Sequence, residues 1–196
     1  MVAGKSLPRS FYARDAETVA RELLGCVLET RSRGCVTSGR IVEVEAYVGP
    51  HDPAAHGYGN RRSQRNDALF GAPGSFYVYF TYGMHWCANA VTAEDGYPSA
   101  VLLRALEPLE GIAAMRRRRG VRQTRLLCSG PARLCHALGI TGRHNKEWLD
   151  GSRVRITGPR LSPEEIIVGP RIGISKATDW PLRFGIAGSS FLSRAF

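Results

Sequence analysis

The chain has 196 residues, of which 43% are hydrophobic and 22% charged, values that are typical of one globular domain and exclude a disordered chain. Its formal net charge is +10, and only three of its 27 basic residues are lysines. Arginine binds phosphate through two parallel hydrogen bonds, so this excess indicates a nucleic-acid partner. Codon bias in a GC-rich genome would also explain the ratio of arginine to lysine, although not the net charge.

The first predicted elements are a helix and a long strand. Asp15 is a suitable helix N-cap, the apolar residues up to Leu24 recur on one stripe, and Gly25 is suited to end the helix. Segment 39–48 alternates with period two, which predicts a strand with one apolar face and one face that carries two carboxylates and a tyrosine. The apolar face would hold Val42, Val44, Ala46 and Val48, and the other face Ile41, Glu43, Glu45 and Tyr47.

A loop rich in glycine, proline, histidine and arginine is predicted over 49–66, ahead of a pair of strands. The strands are predicted at 76–80 and 86–91, with Tyr82-Gly83-Met84 at the tip of their connection. Segment 100–106 has the pattern of another strand. Pro108 is suited to the first turn of a helix that runs towards the basic residues Arg116 to Arg119.

The remaining elements are a second helix and three strand-like pieces. The helix is predicted to begin at 129–131 and to end at Gly139, and the strand-like pieces are 154–156, 171–174 and 180–186. Strands that cluster in the middle of the chain, with helices at intervals, predict the α+β class with a largely antiparallel sheet. No internal repeat and no long linker divides the chain, so one domain is expected over residues 1–196.

Two glutamates on one face of a valine-rich strand are the first candidates for chemistry. Glu43 and Glu45 lie either on a solvent-facing edge or on the floor of a cleft. Tyr47 on the same face and His56 shortly after it favour the cleft.

Aromatic residues of the 76–80 strand form a second candidate cluster. Tyr77 and Tyr79 share one face, and the other face is apolar. Rings with polar tips are suited to stack on a planar ligand such as a nucleobase, although packing within a hairpin core is the alternative. Tyr82, next to Gly83 in a turn, could project as a wedge.

The motifs of several enzyme classes are absent from the sequence. The histidines form no His-Glu-x-x-His pattern, the zinc deaminase signature is missing, and no P-loop, dinucleotide-binding or serine-elbow motif occurs. With no signal peptide and no apolar run near 20 residues, a soluble intracellular protein with reduced thiols is expected. The run Arg116 to Arg119 is interpreted as either a solvated helix end or a phosphate contact.

A series of longer motifs occurs in order along nearly the whole chain. They are Gly39–Tyr47, Ala54–His56, Arg65-Asn66, Pro73-Gly74 with Tyr77–Tyr79, Tyr82–Met84, Asn89, Leu102–Gly111, Leu127–Pro131, Leu134-Cys135, Arg171–Ile174 and Pro181–Phe184. In this number and order they closely resemble the alkyladenine (3-methyladenine) DNA glycosylases, also called methylpurine DNA glycosylases. The resemblance implies an enzyme without lyase activity that removes 3-methyladenine, 7-methylguanine, hypoxanthine and ethenoadenine from duplex DNA.

The resemblance also implies roles for individual residues. Glu45 matches the general base that activates water for attack on the sugar C1′, and Arg104 matches the residue that helps to hold that water and the carboxylate. Tyr47, His56 and Tyr79 match the residues that sandwich the extruded base.

Three further positions match residues of this family that contact DNA. Asn89 matches an asparagine that crowds the 2-amino group of guanine, although a purely structural role is the alternative. Tyr82, with Met84, matches the residues that fill the gap in the duplex. The chain carries His85-Trp86 where many members have an aromatic pair, which leaves its substrate range open.

The implied fold is a single mixed domain of the α+β class, with a curved antiparallel sheet, surrounding helices and no metal or cofactor. A monomer is expected to act on double-stranded DNA with a damaged purine, away from membranes, at the nucleoid in the bacterial cytoplasm or in the nucleus of a eukaryote. A catalytically silent module that binds distorted DNA and an RNA-binding domain are the alternatives. The presence of Glu45, Arg104 and the aromatic set favours the enzyme.

Overall fold

A strongly curved antiparallel sheet forms the body of the computed structural model, which describes residues 4–32, 34–158 and 165–196. The strands in these ranges are β1 (Val27–Ser32), β2 (Cys35–Tyr47), β3 (Phe76–Thr81), β4 (His85–Thr92), β5 (Ser99–Glu110), β6 (Val154–Thr157), β7 (Ile166–Gly169) and β8 (Arg183–Ile186). Their order is β3-β4-β5-β2-β1-β6, and β8 pairs with both β2 and β7. The expected α+β class with a curved antiparallel sheet is confirmed.

Short helices pack on the sheet. They are α1 (Arg9–Tyr12), α2 (Ala16–Leu23), α3 (Ile112–Arg119) and α4 (Pro131–Leu138). The predicted cap of α2 is confirmed, because the Asp15 carboxylate accepts a 2.8 Å hydrogen bond from the Thr18 backbone N–H. α4 begins at Pro131 and ends before Gly139, as predicted. Within the described ranges, no helix has the length and apolar character needed to cross a bilayer.

The main hydrophobic core lies on one face of the sheet. Side chains such as Phe76, Leu103 and Phe184 pack there against Leu23 of α2 and Leu134 of α4. The alternate residues of the same strands point to the opposite face, as the pleat requires. This opposite face carries the candidate site.

The alternation predicted for β2 is interrupted by a β-bulge. Ile41 pairs with Leu106 and Glu43 with Ala105, which leaves Val42 as an extra residue. Ile41 therefore joins the main core, and its predicted position on the carboxylate face is wrong. A bulge changes which residues share a face without leaving a period-two signal.

Two other predictions are wrong for reasons of pairing. Pro108 does not begin a helix, because it lies within β5 opposite Gly39. The sheet tolerates its missing N–H donor there, next to a register shift. Helix α3 begins only after Gly111, which separates it from β5. Segment 171–174 is not a strand, because the Arg171 side chain binds Asp52 and the Ile172 N–H donates to the Glu45 side chain rather than to a backbone carbonyl oxygen of a neighbouring strand.

The last predicted strand is shorter than expected. In segment 180–186 only Arg183–Ile186 forms a strand, β8, which pairs with β2 and β7. The chain turns at Trp180, so the strand begins later than predicted. The sequence analysis did not predict α1, β1 or β7.

Candidate active site

A cavity of about 540 Å³ opens on the sheet face opposite the main core. Its walls come from β2, the following loop, β3, β4, β5 and segment 172–176. The cavity brings together most of the residues selected from the sequence: Tyr47, His56, Tyr79, Tyr82, Asn89 and Arg104 line it.

The Glu45 carboxylate lies directly beneath the lining residues and is fully buried. It accepts hydrogen bonds from the Tyr47 hydroxyl at 3.0 Å and the Ile172 backbone N–H at 2.7 Å, and it forms an ion pair with Arg104 at 3.2 Å. All three partners line the cavity. Burial raises the pKa of Glu45 above its ordinary value, although Arg104 and the two hydrogen bonds act in the opposite direction.

Arg104 connects the cavity to a second buried carboxylate. Glu43 pairs with Ala105 and Val44 with Leu103, so Arg104 is the extra residue of a second bulge, in β5. Its Nε lies 3.1 Å from Glu43, and its Nη1 lies 3.2 Å from Glu45. Bulges next to functional sites re-aim side chains, and here the bulge directs one guanidinium towards two carboxylates.

Aromatic rings form one wall of the cavity. The His56 and Tyr79 ring centroids are 4.6 Å apart in an edge-on arrangement, and Tyr77 lies 5.2 Å from Tyr79. The His56 Nδ1 and the Tyr77 hydroxyl form a 2.9 Å hydrogen bond. His56 is exposed, and its partial desolvation and the nearby Arg65 lower its pKa, which favours the neutral imidazole.

Asn89 lies deep in the cavity on β4. Its side-chain amide donates a 3.0 Å hydrogen bond to the Tyr77 carbonyl oxygen of the neighbouring strand. This bond fixes the orientation of an amide that lines the cavity. Both interpretations of Asn89 from the sequence, structural and selective, are compatible with this position.

The two residues selected as a wedge lie at the tip of the β3–β4 hairpin. Tyr82 is 82% exposed and has a φ of +50°, and Met84 is 69% exposed. Large hydrophobic side chains are seldom this exposed without a partner, and a positive φ is uncommon for a tyrosine. Trp86 packs against Phe80 at a centroid distance of 4.8 Å, one residue pair away from the turn.

The sequence analysis missed an ion pair that holds two walls of the cavity. Arg171 contacts Asp52 through two hydrogen bonds of 2.5 and 2.9 Å, and both side chains are fully buried. Arg171 also donates to the Ala46 carbonyl oxygen and lies over the Tyr47 ring. Asp52 and Arg171 are 119 residues apart, so no local pattern indicates the pair.

The basic run of α3 has two kinds of environment. Arg118 and Arg119 donate to the backbone carbonyl oxygens of Ala137 and Leu127, and so they attach α3 to the region around α4. Arg116 and Arg117 are exposed to solvent. A phosphate contact by this run stays a prediction.

The described part of the chain contains no group of three His, Cys, Asp or Glu side chains arranged to hold a metal ion.

The chain is similar along most of its length to known proteins of one family. A family model described as methylpurine-DNA glycosylase matches residues 10–190. A protein from Rhodopseudomonas palustris strain BisB18 is 51% identical over 193 residues, which cover 98% of this chain and 93% of the relative. A protein from Nitrobacter winogradskyi is 49% identical (100% of this chain, 90% of the relative), and one from Methanoculleus marisnigri is 47% identical (96% and 99%). Each of these relatives bears the name "Putative 3-methyladenine DNA glycosylase".

We predict that Asp52→Asn strongly destabilises the fold. The substitution leaves the buried Arg171 charge uncompensated, which typically costs about 3–5 kcal/mol. Urea unfolding measures the loss. The matched control is Asp67→Asn, which removes surface pairs with Arg62 and Lys146 and should leave the unfolding midpoint nearly unchanged. Equal effects of the two substitutions would contradict the importance of the buried pair.

Proposed function

The chain belongs to the methylpurine-DNA glycosylase family, and we propose that it hydrolyses the N-glycosidic bond of damaged purines that are flipped out of duplex DNA. The observation that carries this proposal is the Glu45 carboxylate, fully buried beneath a cavity with aromatic walls and a volume of about 540 Å³. A carboxylate with a raised pKa, joined to lining residues, is suited to act as a general base.

In the proposed reaction, Glu45 accepts a proton from a water molecule whose oxygen forms a bond to C1′ of the sugar. The glycosidic bond breaks, and its electron pair leaves with the base. The developing positive charge on the sugar is stabilised by a nearby carboxylate, as in other glycoside hydrolyses. Arg104 would hold the water and the Glu45 carboxylate. Because water rather than a protein amine attacks, no lyase step is expected.

The base would stack among Tyr47, His56 and Tyr79. Aromatic faces attract cations, which supports a preference for purines that alkylation has made positive, such as 3-methyladenine and 7-methylguanine. Such a base leaves without protonation, so one carboxylate is sufficient. Hypoxanthine and ethenoadenine are neutral, so each would leave as an anion that takes up a proton from solvent water. Stacking and a hydrogen bond donated by the His56 Nε2 would stabilise this anion, since the Nδ1 faces the Tyr77 hydroxyl.

The exposed hairpin tip supports a wedge role for Tyr82 and Met84. Apolar and aromatic side chains that enter the minor groove unstack neighbouring base pairs and fill the space that a flipped nucleotide leaves. The exposed charges of Arg116 and Arg117 would contribute to contacts with the phosphate backbone. We propose that the enzyme acts as a monomer on double-stranded DNA.

We predict that Glu45→Gln strongly slows excision while DNA binding is retained. The amide keeps the size of the side chain but cannot accept the proton from water, so the single-turnover rate on a hypoxanthine duplex should fall by about 10²- to 10⁴-fold. Alkaline scission of the abasic product measures this rate. Glu17→Gln removes an exposed carboxylate of α2 and serves as the control. Excision by Glu45→Gln at the parent rate would refute the proposed mechanism.

We predict that Asn89→Ala raises excision of undamaged guanine relative to hypoxanthine by roughly tenfold, because the pocket no longer crowds the 2-amino group. Competition between the two bases in otherwise identical duplexes measures the ratio. Asn145→Ala is the control, because the Asn145 side chain also bonds to the backbone of β3, where it accepts from the Val78 N–H, but does not line the cavity. An unchanged ratio in Asn89→Ala would leave Asn89 with a structural role only.

We predict that Tyr82→Ala weakens binding to abasic DNA more than binding to an undamaged duplex. Stacking of an aromatic side chain on a base contributes about 1–3 kcal/mol, and this contribution exists only where the duplex has a gap. Equilibrium binding at fixed salt measures both affinities. Leu109→Ala, which removes another exposed apolar side chain, is the control. Equal losses on both DNAs would mean that Tyr82 does not act as a wedge.

A further inference from the structure

The second buried carboxylate, Glu43, has no role in the reaction proposed above. It is fully buried and has four donors within 3.2 Å. Two of them are the guanidinium groups of Arg104 and Arg183, and the other two belong to Ser193: its backbone N–H at 2.5 Å and its hydroxyl at 2.8 Å. The C-terminal segment thus reaches the carboxylate that holds Arg104.

Ser193 also contacts Arg104 directly. The Arg104 Nη2 donates to the Ser193 hydroxyl oxygen at 3.3 Å, while that hydroxyl donates to the Glu43 Oε1. Arg104 therefore has a different partner at each nitrogen: Glu43 at Nε, Glu45 at Nη1 and Ser193 at Nη2. Because a guanidinium is planar, three partners in three directions fix the orientation of the whole group.

The segment that carries Ser193 is held in place by further contacts. Arg183 donates to the Ala195 carbonyl oxygen at 3.0 Å, and the Phe196 ring lies 3.7 Å from the Arg183 guanidinium carbon. Phe196 also packs closely against Gly169 and Gly185. Residues 193–196 are therefore attached to β7 and β8 rather than extending into solvent.

We propose that Ser193 is a positioning residue for catalysis, which together with Glu43 fixes the Arg104 guanidinium against the Glu45 carboxylate. The proposal rests on the proposed function, in which Glu45 is the general base. It assigns the C-terminal segment a part in the reaction although Ser193 contacts neither the Glu45 carboxylate nor the aromatic wall.

The expected consequence of losing the Ser193 hydroxyl follows from the charges around Glu45. Among the described residues, the titratable and charged groups that face Glu45 are Arg104 of β5, Glu43 and Tyr47 of β2, and Cys87 of β4. Arg183 of β8 contacts Glu43 rather than Glu45. Arg104 lowers the pKa of Glu45 and Glu43 raises it. A guanidinium that is free to turn away lowers this pKa less. The base then stays protonated up to a higher pH, so the acid limb of the rate profile moves to higher pH.

The test compares Ser193→Ala with the parent enzyme, both as the 196-residue chain. Single-turnover excision of hypoxanthine is measured across pH at saturating enzyme, with abasic-DNA affinity and the melting temperature measured in parallel. We expect a rate about 2- to 10-fold lower, because both hydrogen bonds of the Ser193 hydroxyl are lost while Glu43 and Glu45 still bind Arg104. We also expect an acid limb displaced to higher pH and unchanged DNA affinity. Ser193→Thr retains the hydroxyl and should restore the parent profile.

Ser190→Ala is the matched control, because the Ser190 carbonyl oxygen and not its hydroxyl binds Arg125. An acid limb that does not move in Ser193→Ala, or that moves equally in Ser190→Ala, would overturn the proposal, whatever happens to the melting temperature. Parent-like excision by Glu45→Gln would instead refute the proposed function. Loss of activity in Glu45→Gln together with an unmoved limb in Ser193→Ala would refute only the role of Ser193.

Discussion

Charge balance beneath the cavity is the constraint on which the rest of the molecule depends. Glu43 and Glu45 are both fully buried, and an unpaired carboxylate in a protein interior costs several kcal/mol. Arg104 contacts both carboxylates and Arg183 contacts Glu43, so two negative groups face two positive groups. Because Arg104 is shared, its orientation sets the environment of both carboxylates at once.

Regular alternation was sufficient to predict the strand that forms the aromatic wall. In β3, Phe76 and Val78 lie in the main core while Tyr77 and Tyr79 face the cavity, as the period-two pattern indicated. The pattern succeeds here because β3 pairs with β4 without a bulge, so the pleat alone decides the face of each residue. The capped helix α2 was predictable for a similar reason, since its signals all lie within one short segment.

The features that local patterns could not predict arise from contacts between distant segments. The opposed bulges at Val42 and Arg104 depend on the register between β2 and β5, and nothing in either strand marks the extra residue. Segment 171–174 alternates like a strand, yet Arg171 is bound by Asp52 and the Ile172 N–H by Glu45. In both cases contacts with a distant segment, rather than the local sequence pattern, determine the backbone conformation. Because the bulge that directs Arg104 towards the carboxylates leaves no local signal, only the resemblance to a known family identified Arg104 as a candidate site residue.

The same dependence on distant segments makes the site a property of the whole fold. The Glu45 carboxylate is bound by Ile172, 127 residues away, and Glu43 by Ser193, 150 residues away. No short segment of the chain can therefore form the buried carboxylate pair alone, and the Glu45 carboxylate, the proposed base, is buried only once the sheet has formed. The exposed Tyr82, the proposed wedge, differs, because a hairpin turn between adjacent strands forms locally. Under the proposed function, local changes at the hairpin should therefore affect how DNA is held, whereas changes in the buried cluster should affect the fold and the reaction together.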